Sequence, residues 1–338
     1  MACTPGEITT AATTISAVHP DVILTHILTR LDGAALASAA STCSQLRALS
    51  SHEHLWVNAC HSTWPSTRVP RVRHVISTFP NGFRSFFADS FTGSRHSTTA
   101  TAPINPDHTP ELISAVDLFH RQRLVFSNVL ETETGTGWFR CSPFRVDMVG
   151  PKDAVRTPVK YPVDEDTCRD LSEELRLSWI VIDPAGRRAM NVSSWKAVSV
   201  RRHWLIREVE VQFGTVVSGE RGTASEAALC SAVVTWGGAE GGEMHVREMS
   251  LQMEDMDGIQ LNGRDSLVIL QRALEGKRGR ARNEDEGYSY SNGYREFMKR
   301  KKERKVKKVK AEEKLDMICI VLVAFTFACL FGLFVFCR

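Results

Sequence analysis

The stretch Met317 to Cys337 (MICIVLVAFTFACLFGLFVFC) carries no charge over 21 residues, and no other feature constrains the chain as tightly. As a helix rising 1.5 Å per residue it is about 31 Å long, against a hydrocarbon core of roughly 30 Å. A buried C-terminal helix normally keeps one polar face, and this run has none. The sequence therefore predicts a transmembrane tail anchor over 315–338, with Met317, Ile318, Leu322, Phe325, Phe331, Phe334 and Cys337 as its membrane-anchoring residues. Just before it, Lys299–Lys310 (KRKKERKVKKVK) holds nine basic residues and one acid. A cationic flank keeps its own side cytosolic, so the expected topology is a single-pass C-terminal anchor with the body in the cytosol. Which membrane it enters is not written in the sequence. Lys299, Arg300, Lys301, Lys302, Lys305, Lys307 and Lys308 form the basic flank expected to meet anionic lipid headgroups.

That run also distorts the overall charge. The formal net charge is +3, yet the chain without the run is mildly acidic, so nucleic acid is not an expected partner. Nine cysteines are scattered without a CxxC pair, which excludes a dense disulfide scaffold and fits a reducing compartment. The N-terminus, MACTPGEITTAATTISA, lacks the basic start and apolar core of a signal peptide. Residues 1–16 are expected to be disordered.

A short helical unit follows. Pro20 suits a first helical turn, and Asp21 favours the positive helix end. Ile23, Ile27 and Leu31 recur at i, i+4 and i+8 with Leu24 and Leu28 beside them, a wide apolar stripe ended by Asp32-Gly33. Ala34 to Ser41 is strongly helix-forming around Leu36, a third helix fits Ser44 to Leu49, and Leu55-Trp56 closes the unit. Helices this short cannot bury two-sided stripes among themselves. The unit is either a small interaction module or the N-terminal part of a larger helical core.

These residues resemble an F-box, the segment that docks a substrate receptor onto the Skp-type adaptor of cullin-based (SCF) ubiquitin ligases. His19-Pro20-Asp21, Ile23-Leu24, Ile27-Leu28 and Leu31 follow the family pattern in order, and Leu36, Ala39, Arg47 and Leu55-Trp56 match its later positions. Two positions depart from it: the customary opening Leu is His19, with Val18 beside it, and the frequent Trp before Arg47 is Leu46. The phrases NACHSTWPSTRVPRV, SPFRVDMVGPKD and SVRRHWLIREVEVQFGTV resemble one group of plant F-box proteins. The resemblance implies adaptor binding through Pro20, Ile23, Leu24, Ile27, Leu28, Leu31 and Leu36, and through the adaptor a cullin scaffold. It brings no defined substrate.

From about Glu111 to Leu274 the dominant period is two. Leu177/Trp179/Val181, Val209/Val211/Phe213 and Met249/Leu251/Met253 alternate, and Asp257-Gly258 and Asn262-Gly263 read as hairpin-type turns. One-sided strands of this kind predict an antiparallel sandwich-like domain, closed by a helix that Asp265 caps and in which Leu267, Leu270 and Leu274 share a face. At fold level this is distantly similar to the phloem-lectin sandwich of some other plant F-box proteins, an analogy that assigns no sugar site. Trp138, Trp179, Trp195, Trp204 and Trp236 would suit sugar stacking but serve sandwich cores more often.

No catalytic pattern stands out. Glu254–Gly258 lacks the later ligands of a calcium loop, and His52, His54, Cys60 and His61 match no zinc cage. Gly135-Thr136-Gly137 lacks the third glycine of a dinucleotide site. The expected class is α+β: a three-helix F-box over 17–62, a connecting segment and linker over 63–110, a β-rich recognition domain over 111–275, a charged stalk over 276–314, and the anchor. The expected function is a non-catalytic, cofactor-free and metal-free receptor that recruits an unknown protein for ubiquitination at a membrane. The alternative is a membrane-tethered, lectin-like binding protein.

Overall fold

The computed structural model describes residues 18–91, 108–150, 152–203, 205, 208–219, 223–276 and 286–336. The first helix among the described residues is α1 (Pro20–Val22), which widens into a π-turn over Ile23–Ile27 and tightens to a 3-10 turn over Leu28–Arg30. The local cause lies in its threonines. Thr25 Oγ1 donates to the Asp21 carbonyl at 2.6 Å and Thr29 Oγ1 to the Thr25 carbonyl at 2.7 Å, competing with the regular ladder. The Asp32 carboxylate then accepts the Ala35 N–H at 2.7 Å and starts α2 (Gly33–Thr42), which α3 (Ser44–Leu49) and α4 (Glu53–Thr63) follow.

The segment read as a connection adds two more helices, α5 (Pro70–Ser77) and α6 (Gly82–Phe91), after a 3-10 turn at Pro65–Arg68. Pro70 occupies the first turn of α5. Val72, Val75, Ile76, Phe83, Phe86 and Phe87 lie at helical spacing and are buried.

The remainder is two antiparallel sheets. The first has the order β2-β1-β5-β6, from β1 (Glu111–His120), β2 (Arg123–Glu133), β5 (Leu175–Asp183) and β6 (Arg188–Asn191), with β7 (Trp195–Lys196) also on β5. The second has the order β3-β11-β10-β9-β8, with β4 also on β11. Its strands are β3 (Arg145–Val149), β4 (Val155–Lys160), β8 (Ser199–Arg202), β9 (Glu208–Ser218), β10 (Ala227–Gly237) and β11 (Glu243–Glu254). Leu177, Trp179 and Val181 meet Val211, Phe213, Val234, Trp236, Met249 and Leu251 between the sheets. Ile113, Ala115, Ile180, Ile182 and Ala189 leave the first sheet on its other side and join the core of α4, α5 and α6. The helical unit is therefore part of a larger helical core, fused to the sandwich through a strand, β5, that is buried on both faces.

Two short helices, α7 (Gly137–Cys141) and α8 (Glu165–Glu174), cover opposite ends, and α9 (Gly263–Glu275) buries Leu267, Leu270 and Leu274 between the sheets. Its cap is Asn262, whose side chain accepts the Asp265 N–H at 2.8 Å, so Asn262-Gly263 is a helix start where a hairpin turn was expected.

The last helix, α10 (Glu286–Phe336), corrects the membrane expectation. Among the described residues, no helix is long and apolar enough to cross a membrane. Met317, Ile318, Leu322 and Phe325 are exposed on this helix. Cys337 and the side chains of Phe331 and Phe334 lie outside the described residues. This overturns the transmembrane element of the fold class and the single-pass membrane localisation, and with them the expected lipid contact.

The charged N-terminal part of α10 is not a free stalk. Phe297, 2% exposed, packs on Leu229 of β10 and on Met256 in the turn after β11, and Tyr294 Oη donates to Gln212 at 3.3 Å.

Candidate adaptor-docking site

The π-turn decides which apolar side chains of the first helix are available to a partner. An i→i+5 bond, here Leu28 N–H to Ile23 C=O, brings residues five apart onto one face. Ile23 and Leu28 are that pair, and both turn inward, 0% and 1% exposed. They pack with Leu36 (1% exposed), Leu55, Trp56 and Phe87 inside the chain's own core. Val22 and Ile27 are the other pair, and both face outward, 44% and 42% exposed. Pro20 and Val18 are exposed beside them, and Leu24 and Leu31 are half-buried at the margin.

The seven residues expected to bind an adaptor thus divide. Pro20, Ile27, Leu24 and Leu31 lie on an open strip, and Ile23, Leu28 and Leu36 support it from beneath. Val22 belongs to the strip and was not among the seven. A regular 3.6-residue period puts Ile23 and Ile27 on one face, and only the threonine-induced widening separates them.

The strip is held firmly relative to the sandwich. Trp56 Nε1 donates to the Ser50 carbonyl at 2.7 Å, closing α3 onto α4. Asp117 on β1, fully buried, accepts Ser66 N–H at 2.9 Å, Ser66 Oγ–H at 2.5 Å and Ser127 Oγ–H at 2.7 Å, tying the turn after α4 to the first sheet. Burial holds its carboxyl above the usual range, and the three donors pull against that rise. Arg71 of α5 pairs with Glu111 and Glu131 across β1 and β2, and Asp89 of α6 pairs with Arg188 of β6 at 3.0 Å.

The other singled-out residues do not assemble. Among the described residues no group of three or more His, Cys, Asp or Glu side chains could hold a metal. Cys60 is a core thiol that burial pushes far above its ordinary range, contacting the Phe83 carbonyl at 3.6 Å. Trp179 and Trp236 are core residues, Trp138 and Trp195 are exposed, and Trp204 lies outside the described residues.

The basic run is two-faced. Lys301 pairs with Glu254 at 2.8 Å, and Arg304 and Lys308 both pair with Asp257 at 3.1 and 2.8 Å, one helix face spent on the sandwich. Lys299, Lys302, Lys305 and Lys307 point outward, and Arg300 pairs with Glu296 on its own helix.

An F-box-like domain matches residues 20–62, which covers α1 through nearly all of α4. Three Arabidopsis thaliana proteins are similar along almost the whole chain. F-box protein At2g27310 is 44% identical, covering 91% of this chain and 92% of its own. Probable F-box protein At2g36090 is 48% identical, with 92% and 90% covered. F-box protein At3g44326 is 44% identical, with 92% and 89% covered. No solved structure matches the chain significantly. The similarity runs through the helical unit and the sandwich alike, as expected where the two share one core, and the chain belongs to the plant F-box protein family.

Proposed function

We propose that this chain is the substrate-recognition subunit of an SCF-type ubiquitin ligase. The strip of Val18, Pro20, Val22 and Ile27, with Leu24 and Leu31 at its margin, docks a Skp-type adaptor and through it a cullin scaffold. The observation that carries the reading is an apolar strip left open on a helix whose other apolar face is fully used. Ion pairs and buried hydrogen bonds hold that strip at a fixed angle to the sandwich, which selects the protein to be modified. The chain itself transfers nothing; it sets the distance between the docked machinery and the target.

The test is binding of the full chain to a Skp-type adaptor beside Val22→Asp and Ile27→Asp variants. Each substitution places a charge in a desolvated contact and lowers affinity by about 2–4 kcal/mol, with helical content unchanged. Full binding by both variants refutes the strip. No binding by the wild-type chain, where another F-box protein binds, refutes the ligase role.

A further inference from the structure

A cleft of about 650 Å³ opens between α8 and β8 at the edge of the second sheet. Its walls are Asp164, Glu165, Cys168 and Ser172 from the helix side and Val200 and Arg201 from the strand. β8 ends the strand order of its sheet, and among the described residues only β9 pairs with it. His203 N–H donates to the Glu208 carbonyl at 2.7 Å. In an antiparallel pair alternate residues bond the same neighbour, so Arg201 and Ser199 also turn their amides to β9. Val200 and Arg202 turn their backbone N–H and C=O groups the other way, into the cleft. A row of such groups is satisfied by another extended backbone.

The side chains specify that backbone further. Across the sheet, Arg201 stands opposite Glu210 and Val200 opposite Val211. One row therefore runs acid, base, and then an open position, and the next runs Val211, Val200, and an open position. Opposite charges and matched apolar groups are the favourable cross-strand neighbours. Val200 packs on the inter-sheet core while Arg201 is exposed, so the two rows lie on opposite faces.

We propose that the β8 edge is the substrate-recognition site, and that it takes an extended protein segment in which acidic and small apolar residues alternate. The segment joins the second sheet as an additional strand and lies against α8 on its far side. This rests on the receptor function proposed above and names the class of segment the receptor reads.

The test uses the full chain bound to its adaptor and a synthetic peptide of about eight alternating Glu and Val residues, with Lys-Val and scrambled Glu/Val peptides as controls. Affinity is read by fluorescence anisotropy and backbone contact by amide hydrogen exchange. The Glu-Val peptide is expected to bind and the controls to bind about tenfold more weakly, with exchange slowed at Val200 and Arg202. Val200→Pro removes an outward N–H and leaves the β9 bonds in place, and Ser172→Trp fills the cleft from the helix. Each is expected to weaken the peptide by about tenfold and to leave adaptor binding unchanged. Should Val200→Pro disturb the fold, Ser172→Trp with the exchange measurement decides alone. Equal affinity for all three peptides, protection elsewhere on the sandwich, or no peptide binding by a chain that still holds its adaptor overturns the proposal. Peptide binding by a chain that holds no adaptor contradicts the ligase reading and leaves the edge site standing.

Discussion

Removing the Asp117 carboxylate should loosen the helical unit from the sandwich, and the structure sets the size of the effect. The side chain is fully buried on β1 and accepts three hydrogen bonds, two from Ser66 and one from Ser127. Asp117→Ala leaves the Ser66 N–H and hydroxyl, themselves 1% exposed, without that acceptor, while Ser127 is exposed and returns to water. Orphaning a buried donor costs about 1–3 kcal/mol, and hydrogen bonds to a charged acceptor are the stronger kind. The expected loss is about 3–4 kcal/mol. Asp117→Asn keeps one acceptor oxygen for Ser66 N–H and Ser127 and lets its amide donate to a rotated Ser66 hydroxyl, so about 1 kcal/mol should suffice.

The pH dependence has a definite sign. Burial is the largest cause acting on Asp117 and raises its folded pKa above the unfolded value. The folded state then holds more protons, so stability from this group falls as pH rises from the ordinary carboxylate range through the folded pKa. Over that window Asp117→Asn should gain on the wild type. Urea melts followed by tryptophan fluorescence and by circular dichroism read both effects, since Trp64 lies two residues before Ser66. At a slope of about 3 kcal/mol/M the Ala variant should lose about 1 M in midpoint. An Ala variant within about 1 kcal/mol of wild type, or an Asn variant as damaging as Ala, refutes the reasoning.

Gly33→Ala should destabilise by about 2 kcal/mol or more, because the added methyl meets the buried Phe87 ring, itself wedged against Trp56 and Trp64. Phe87→Leu in the same chain should recover part of that loss in a thermal melt. Ile23→Ala, in the core, should cost about 2–5 kcal/mol in a urea melt, whereas Ile27→Ala on the open strip should cost under about 1 kcal/mol. Asp257 bonds Lys308 and Arg304, which hold its carboxyl below the usual range. That contribution is present above the unfolded pKa and lost as pH falls through the lowered folded value. Acid or high salt should therefore increase amide exchange in α10 around Arg304 to Lys308 and spare the segment that Phe297 anchors.

The sandwich was largely legible because its strands bury one face and alternate. Leu177/Trp179/Val181, Val209/Val211/Phe213 and Met249/Leu251/Met253 all point between the sheets. Ile180 and Ile182, in the same strand as Trp179, look irregular in that pattern because the helical unit covers their side too. Helices α5 and α6 fall where a connecting segment and linker was expected, although Pro70, Val72, Val75 and Ile76, then Phe83, Phe86 and Phe87, carry a helical period. Their segment follows the F-box expected over 17–62. The β1–β2 turn was unreadable for another reason: Arg121 and Gln122 adopt positive φ, +50° and +65°, without the glycine or asparagine that signals such a turn.

The first helix departs from the period its sequence suggests. Ile23, Ile27 and Leu31 share a stripe only while the helix keeps 3.6 residues per turn, and two threonine hydroxyls end that regularity. The basic run was read by composition alone, which sees its cations but not that Lys301, Arg304 and Lys308 are spaced to meet Glu254 and Asp257. The apolar tail reads as a membrane span from its lack of charge alone, whereas among the described residues no helix is long and apolar enough to cross a membrane.

The most direct test of the central claim is the adaptor's footprint on the full chain, measured by amide hydrogen exchange and by carbene labelling of side chains with and without a Skp-type adaptor. The account predicts that binding shields Val18, Pro20, Val22 and Ile27, while Ile23, Leu28 and Leu36 stay unlabelled in both states and the β8 edge is unchanged. A footprint on the sandwich, or labelling of Ile23 and Leu28 in the free chain that the adaptor suppresses, would contradict it.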